Sequence, residues 1–272
     1  MKILALIKQV PDTSIALKIM SPHVLNGGKA DSIDIEYQDM PWVINPYDEY
    51  AVEEALRIKE KIGGTVMVIS MGTARVADII RSSFAMGADE GVHLKDTAFD
   101  SSDTYSTAFI FSKIISISGY DIILCGKQAV DDGWGYTGAA LAEILNIPSV
   151  SSILKLEISE DKKSAIATRE VDEGLEIVLV PLPALFTVQQ GINKPRYASL
   201  PGIMKAKKKE IKILDANALG ISPDEVGKNV SRINVIKLSY PPVRKKGKIL
   251  QGDSKNLTKE LAHLLRNEAK VI

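Results

Sequence analysis

The residues best suited to chemistry lie between Asp121 and Pro148, DIILCGKQAVDDGWGYTGAALAEILNIP. The apolar run Ile122 to Cys125 reads as a strand. The loop after it carries Gly126, the acidic pair Asp131/Asp132 and the glycines Gly133 and Gly135, and an amphipathic helix starts near Thr137. In an open parallel sheet such a loop sits at the carboxyl end of its strand, and the next helix points unpaired N–H groups into the crevice. That arrangement suits anions. Thr137 and the helix start would take a phosphate, while Asp131 and Asp132 would receive ribose hydroxyls or backbone N–H groups. An ordinary strand-to-helix connection would show the same pattern. A second acidic pair, Glu53/Glu54, falls within a helix where adjacent positions point apart, so a solvated face is expected. Cys125 reads as a small core residue, because His23, His93 and His263 show no spacing relation to it.

These residues need a scaffold, and the sequence outlines one. Lys2 to Val10 reads as a central strand bounded by Pro11 and Asp12. Asn26-Gly27-Gly28 signals a turn, and alternating Ile33, Ile35 and Tyr37 suggest a short hairpin strand. Asn45-Pro46-Tyr47-Asp48-Glu49 is a helix start, with Asn as cap, Pro in the first turn and acids at the positive end of the dipole. Gly63-Gly64 ends that helix. Thr65 to Ser70 is a strand, a helix closes at Gly87, Gly91 to Leu94 is a strand, and Ser101-Ser102-Asp103 caps a helix through Ser118. This alternation predicts an α/β fold with a parallel sheet and helices on both faces. From Val150 the rhythm changes to Ile153–Ile158, 165–171 and 175–180, an antiparallel meander, after which 184–189 returns as a strand.

Composition narrows the class. The chain has 272 residues, 45% hydrophobic and 25% charged, with 34 basic against 34 acidic side chains. Balanced charge gives no bias toward nucleic acid, and no apolar run is long enough to cross a bilayer. The N-terminus reads as a buried strand and not as a signal peptide, so a cytoplasmic location is expected, or the mitochondrial matrix in a eukaryote. One cysteine excludes an internal disulfide or a thiolate cluster. No GxGxxG directly follows a strand, and no GxxxxGK[ST], HExxH or GxSxG motif is present, so the usual dinucleotide, P-loop, zinc and hydrolase readings lack their residues in place. Beyond 214 the chain carries Pro223, Pro241-Pro242, the basic run Arg244-Lys245-Lys246 and an amphipathic helix over 258–269, a pattern expected of an arm that embraces a second subunit.

Five separated segments then stand together: KQVPD at 8–12, INPYDEYAVEEALRIKE at 44–60, AMGAD at 85–89, GKQAVDD at 126–132 and RYASLPGIMKAKKKEI at 196–211. In this order they resemble the β subunit of electron transfer flavoprotein, related nitrogen-fixation members included. The resemblance implies a Rossmann-like sheet of the adenine nucleotide alpha hydrolase type, in a domain over 1–214 that includes the meander (about 150–183) and a partner recognition loop (196–209). A C-terminal arm over 215–272 would embrace an FAD-bearing α subunit. It also implies an electron carrier that takes electrons from acyl-CoA or related flavin dehydrogenases and passes them to a quinone oxidoreductase, with no substrate chemistry of its own and no membrane insertion. The nucleotide would be AMP, held by Leu6, Asn45, Pro46, Tyr47, Asp48, Met71, Gly126, Lys127, Gln128, Ala129, Val130, Asp131, Asp132, Gly133, Trp134, Gly135, Tyr136 and Thr137. Tyr47 matches an aromatic position that approaches the α-subunit flavin. Partner recognition would fall to Arg196, Tyr197, Leu200, Pro201, Ile203, Met204 and Lys205, with Leu200 as anchor. Gly133-Trp134-Gly135-Tyr136 departs from the family pattern at the nucleotide loop. Two alternatives stand beside this reading: a bifurcating flavoprotein with a second FAD in this subunit that oxidises NADH, and a universal-stress-like nucleotide-binding protein.

Overall fold

The computed structural model describes residues 1–15, 40–233, 242 and 247–272. The expected turn at 26–28, the hairpin strand at 33–37 and the basic run at 244–246 lie outside the described residues. Met1–Ile236 forms one compact unit and Lys237–Ile272 a second.

The first unit is built on short aliphatic strands: β1 (Lys2–Leu6), β4 (Thr65–Met71), β5 (Glu90–Leu94), β6 (Ile122–Gly126) and β10 (Ala184–Val188), with β2 (Gln9–Pro11) and β3 (Trp42–Ile44) set apart as an antiparallel pair. The main sheet runs β11-β5-β4-β1-β6-β10-β7-β8-β9, where β7 is Ser149–Ile158, β8 Ser164–Val171, β9 Gly174–Pro181 and β11 Lys212–Leu214. Every pairing from β11 to β7 is parallel, and β7-β8-β9 is an antiparallel meander. This is the expected α/β architecture, with 184–188 returning as a strand between β6 and β7.

Strand alternation splits the core in two. On β1, Ile3 and Ala5 face one side while Leu4 and Leu6 face the other. The first side is covered by α1 (Pro46–Ile62) and α2 (Val76–Met86), the second by α3 (Thr104–Ser118) and α4 (Thr137–Leu145). Both sides are aliphatic, as a doubly covered parallel sheet requires.

Several expectations change on contact with the structure. The strand expected over 2–10 breaks after Leu6, because Ser70 Oγ donates to Ile7 O and Lys8 N donates to Asp48, drawing the chain off the sheet before β2 begins. Glu53 and Glu54 are both buried, not solvated, because residues 193–196 lie across α1: Arg196 pairs with Glu53, and Asn193 Nδ2 donates to Glu54 at 3.0 Å. Past 214, Ala216, Leu219, Ile221 and Val226 are buried among the side chains that back α3, within the first unit. In the second unit, α6 (Ser254–Leu264) is capped by Asp253, which accepts from Lys255 N and Asn256 N, and it buries none of its residues.

The meander leaves one apolar face open. Leu175, Ile177 and Leu179 alternate along β9 at 67%, 73% and 71% exposure. Replacing Phe186, fully buried in the sheet, with alanine is expected to cost about 3–5 kcal/mol. Ile177→Ser should stay within about 0.5 kcal/mol of the parent. Urea denaturation of the two variants checks the contrast.

Candidate functional site

The parallel sheet reverses its winding at β1: the chain steps from β1 to β4 on one side and later to β6 on the other. At such a switch the connections diverge and leave a crevice at the strands' carboxyl ends. A cleft of about 220 Å³ opens there, floored by Leu6, Ile7, Cys125 and Gly126.

Asp48, in the first turn of α1, sets the geometry. Its Oδ2 accepts Lys8 N and its Oδ1 accepts Gly126 N, each at 2.8 Å, so one buried carboxylate joins the exits of β1 and β6 to the helix start. Gly126 has to be glycine for this approach, since a Cβ there would meet Asp48 Oδ1 at 2.5 Å and Tyr47 Cβ at 2.6 Å. Asn45 does a job the sequence did not show. It makes no side-chain cap for α1; its Nδ2 donates to Gln128 O at 2.9 Å and its Oδ1 accepts Val130 N at 3.1 Å. Its local role as a cap is lost because the loop offers a donor and an acceptor together.

The loop itself is tied across the cleft. Lys8 Nζ reaches Asp131 and Asp132, both at 2.8 Å. Burial pulls the ammonium down, and the two carboxylates outweigh it, so Lys8 ends above its ordinary value. Asp132 Oδ1 accepts Trp134 N at 3.1 Å, and Gly133 and Gly135 take φ values of 67° and 68°, which turn the chain back toward α4.

Two helix starts face the cleft and they differ. In α3, Asp103 accepts Ser106 N at 2.9 Å, so that terminus is filled by its own carboxylate. Among the described residues no side chain caps α4, whose first residues Thr137 and Gly138 line the cleft. An anion therefore finds free N–H donors at α4 and a carboxylate at α3.

Of the expected nucleotide residues, Leu6, Asn45, Asp48, Met71, Gly126, Lys127, Gln128, Ala129, Asp132, Trp134, Gly135 and Thr137 line the cleft. Pro46, Tyr47, Val130, Asp131, Gly133 and Tyr136 do not. Tyr47 instead lies under Lys127, whose Nζ is 5.4 Å from the ring centroid. The cleft also takes in Lys8, Ser102, Asp103, Thr104, Thr107 and Phe111, which sequence reasoning did not place there. For the residues from 102 on the signal was the cap at 101–103: a helix following a parallel strand starts at the same sheet edge as the loop after β6.

Cys125 forms part of the floor, and burial pushes its thiol well above the ordinary range, with the Asp48 charge adding to the effect. That suits a packing residue rather than a nucleophile.

The expected recognition residues lie elsewhere, in and before α5 (Leu200–Lys208). Tyr197, Leu200 and Met204 are 100%, 72% and 63% exposed, and Ile203, Pro201 and Lys205 are exposed beside them. Arg196 points inward, donating to Glu53 and Glu60.

The model of the electron transfer flavoprotein domain matches residues 34–219. The chain belongs to the electron transfer flavoprotein family. It is 40% identical to electron transfer flavoprotein subunit beta of Thermoanaerobacterium thermosaccharolyticum, over 98% of each chain. It is 36% identical to the mitochondrial β subunit of Arabidopsis thaliana over the full length of both. To the caffeyl-CoA reductase-Etf complex subunit CarD of Acetobacterium woodii it is 35% identical over 94% of each chain. It is thus a β-type subunit of an electron carrier, and such subunits imply an α partner and dehydrogenase redox partners in general. The universal-stress-like reading has no support beside this match. No helix among the described residues is long and apolar enough to cross a membrane.

Asp48 carries a pH signature. Burial pushes its carboxyl up to about 7, against the pull of the Lys8 and Gly126 N–H groups, which favour the ionised form. An unfolded aspartate titrates near about 4. Between those values the folded chain holds a proton that the unfolded chain has released, so this group's contribution to stability falls as pH rises through that window. Carboxyl NMR of the folded chain should give Asp48 a midpoint near about 7 and not the ordinary value near about 4.

Proposed function

We propose that the cleft at the β1/β6 switch holds AMP, and that with an FAD-bearing α subunit this chain carries electrons from acyl-CoA or related flavin dehydrogenases to a quinone oxidoreductase. One observation carries the nucleotide reading: the uncapped start of α4 opens into a cleft at the topological switch of a parallel sheet. In this reading the phosphate sits against Thr137 and Gly138, and Lys127 supplies a nearby cation. Trp134 offers an aromatic wall.

The cleft, about 220 Å³, lies at the small end for a ligand site. The redox chemistry belongs to the flavin of the α subunit. This chain binds the nucleotide, walls the flavin and presents its docking helix.

Apolar surface supports the two contacts. The open ladder Leu175, Ile177 and Leu179 and the apolar side of α6, with Leu257 and Leu261, suit a lasting interface with the α subunit, in keeping with the C-terminal arm read over 215–272. Leu200 and Met204, set among Lys205, Lys207 and Lys208, suit a brief contact with an acidic redox partner.

Denaturing the purified complex and identifying the released nucleotides by mass spectrometry tests the cofactor assignment. One FAD and one AMP per heterodimer is the expected result, and two FAD with no AMP would replace carrier by bifurcating flavoprotein. Leu200→Ala should slow electron transfer from the dehydrogenase about tenfold, the scale of losing one interface anchor, with flavin content unchanged.

A further inference from the structure

Helix α5 is short and mostly exposed. A helix of this length does not hold itself in water, and Ala206 is its only buried residue. What keeps it formed is a seat on α2.

Three contacts make the seat. Gly202 lies so close to α2 that a Cβ would meet Ala85 O at 2.5 Å. Arg81, projecting from α2, donates through Nη1 to the carbonyls of Ala206, Lys207 and Lys209 at 3.0, 3.3 and 3.4 Å. Lys209 returns the tie, its Nζ donating to Ala88 O at 2.6 Å and Asp89 O at 3.1 Å. Carbonyls at a helix end have no intrahelical partner, and a cation there satisfies both their hydrogen bonds and the negative end of the dipole. Gly202 and Ala206, four apart, face the seat, whereas Leu200 and Met204, also four apart, face solvent.

We propose that Arg81 is a positioning residue for partner docking: by holding the terminal carbonyls of α5 it keeps Leu200 and Met204 preset for the redox partner. The inference rests on the reading of α5 as the docking helix. With Arg81 removed, the last turn frays, and each encounter has to order the helix before Leu200 can anchor. The loss therefore falls on binding and not on the electron step.

The test uses the full chain assembled with its FAD-bearing α subunit, with an acyl-CoA dehydrogenase reduced by butyryl-CoA as donor. Arg81→Ala should raise the KM for the dehydrogenase about fivefold, the scale of one lost hydrogen-bonding group, with kcat unchanged. Amide exchange over 203–208 should quicken roughly tenfold, with α2 and the sheet unaffected. Arg81→Lys keeps the charge, but its shorter side chain stops short of the point where Nη1 meets the carbonyls, so it should remain impaired. A wild-type KM in Arg81→Lys would show that charge alone matters and overturn the proposal. So would an unchanged KM or unchanged exchange in Arg81→Ala while Leu200→Ala raises the KM. If Leu200→Ala itself leaves the KM unchanged, the docking reading of α5 fails, and this inference with it.

Discussion

A single buried carboxylate holds the functional end of this molecule together. Asp48 accepts the N–H of Lys8, where the chain leaves β1, and the N–H of Gly126, where it leaves β6. Those two strands flank the point at which the sheet reverses its winding, so the bridge fixes the separation of the cleft's two sides. The cost is desolvation, seen in a carboxyl pushed up to about 7. Helix α1 offsets part of it by placing Asp48 in its first turn, at the positive end of the dipole. Asn45 extends the same joint to Gln128 and Val130, so the start of α1 shapes both the floor and the loop.

The scaffold was readable because its signals are local. Runs such as Ile122 to Cys125 have the length and branching of doubly covered strands, and Asn45-Pro46, Gly63-Gly64 and Asp103 mark helix ends within a few residues. The misread features depend on partners far along the chain. Glu53 and Glu54 looked solvated because their cover, Asn193 and Arg196, lies about 140 residues away. The break after Leu6 depends on Asp48, and the true work of Asn45 depends on a loop more than eighty residues on. At the site, the loop over 126–137 was legible from its glycines and its helix start. The α3 contribution, Ser102 to Phe111, had only its cap as a local sign, and the sheet topology was needed to bring it to the same edge.

The chain exposes two apolar surfaces that differ in kind. The aliphatic ladder of β9 is broad and uncharged, whereas α5 presents a narrow apolar ridge among lysines. A permanent subunit interface and a transient electron-transfer encounter differ in this way, the first favouring apolar area and the second a small anchor with charge steering. Arg196, just before α5, ties its segment to α1, and Arg81 ties α5 to α2, on the face of the sheet opposite α4. Helix α1 thus touches both places, its first turn at the cleft and its middle beneath Arg196.

In the proposed reading the start of α1, through Asp48 and Asn45, builds a nucleotide cleft from the loop after β6. Asn45→Ala removes both bonds to that loop and leaves the sheet and α5 in place. Nucleotide content of the purified heterodimer, measured for this variant beside the parent, is the most direct test. Loss of the AMP with the α-subunit FAD kept is the expected result; a variant that retains its full complement of AMP would contradict the assignment.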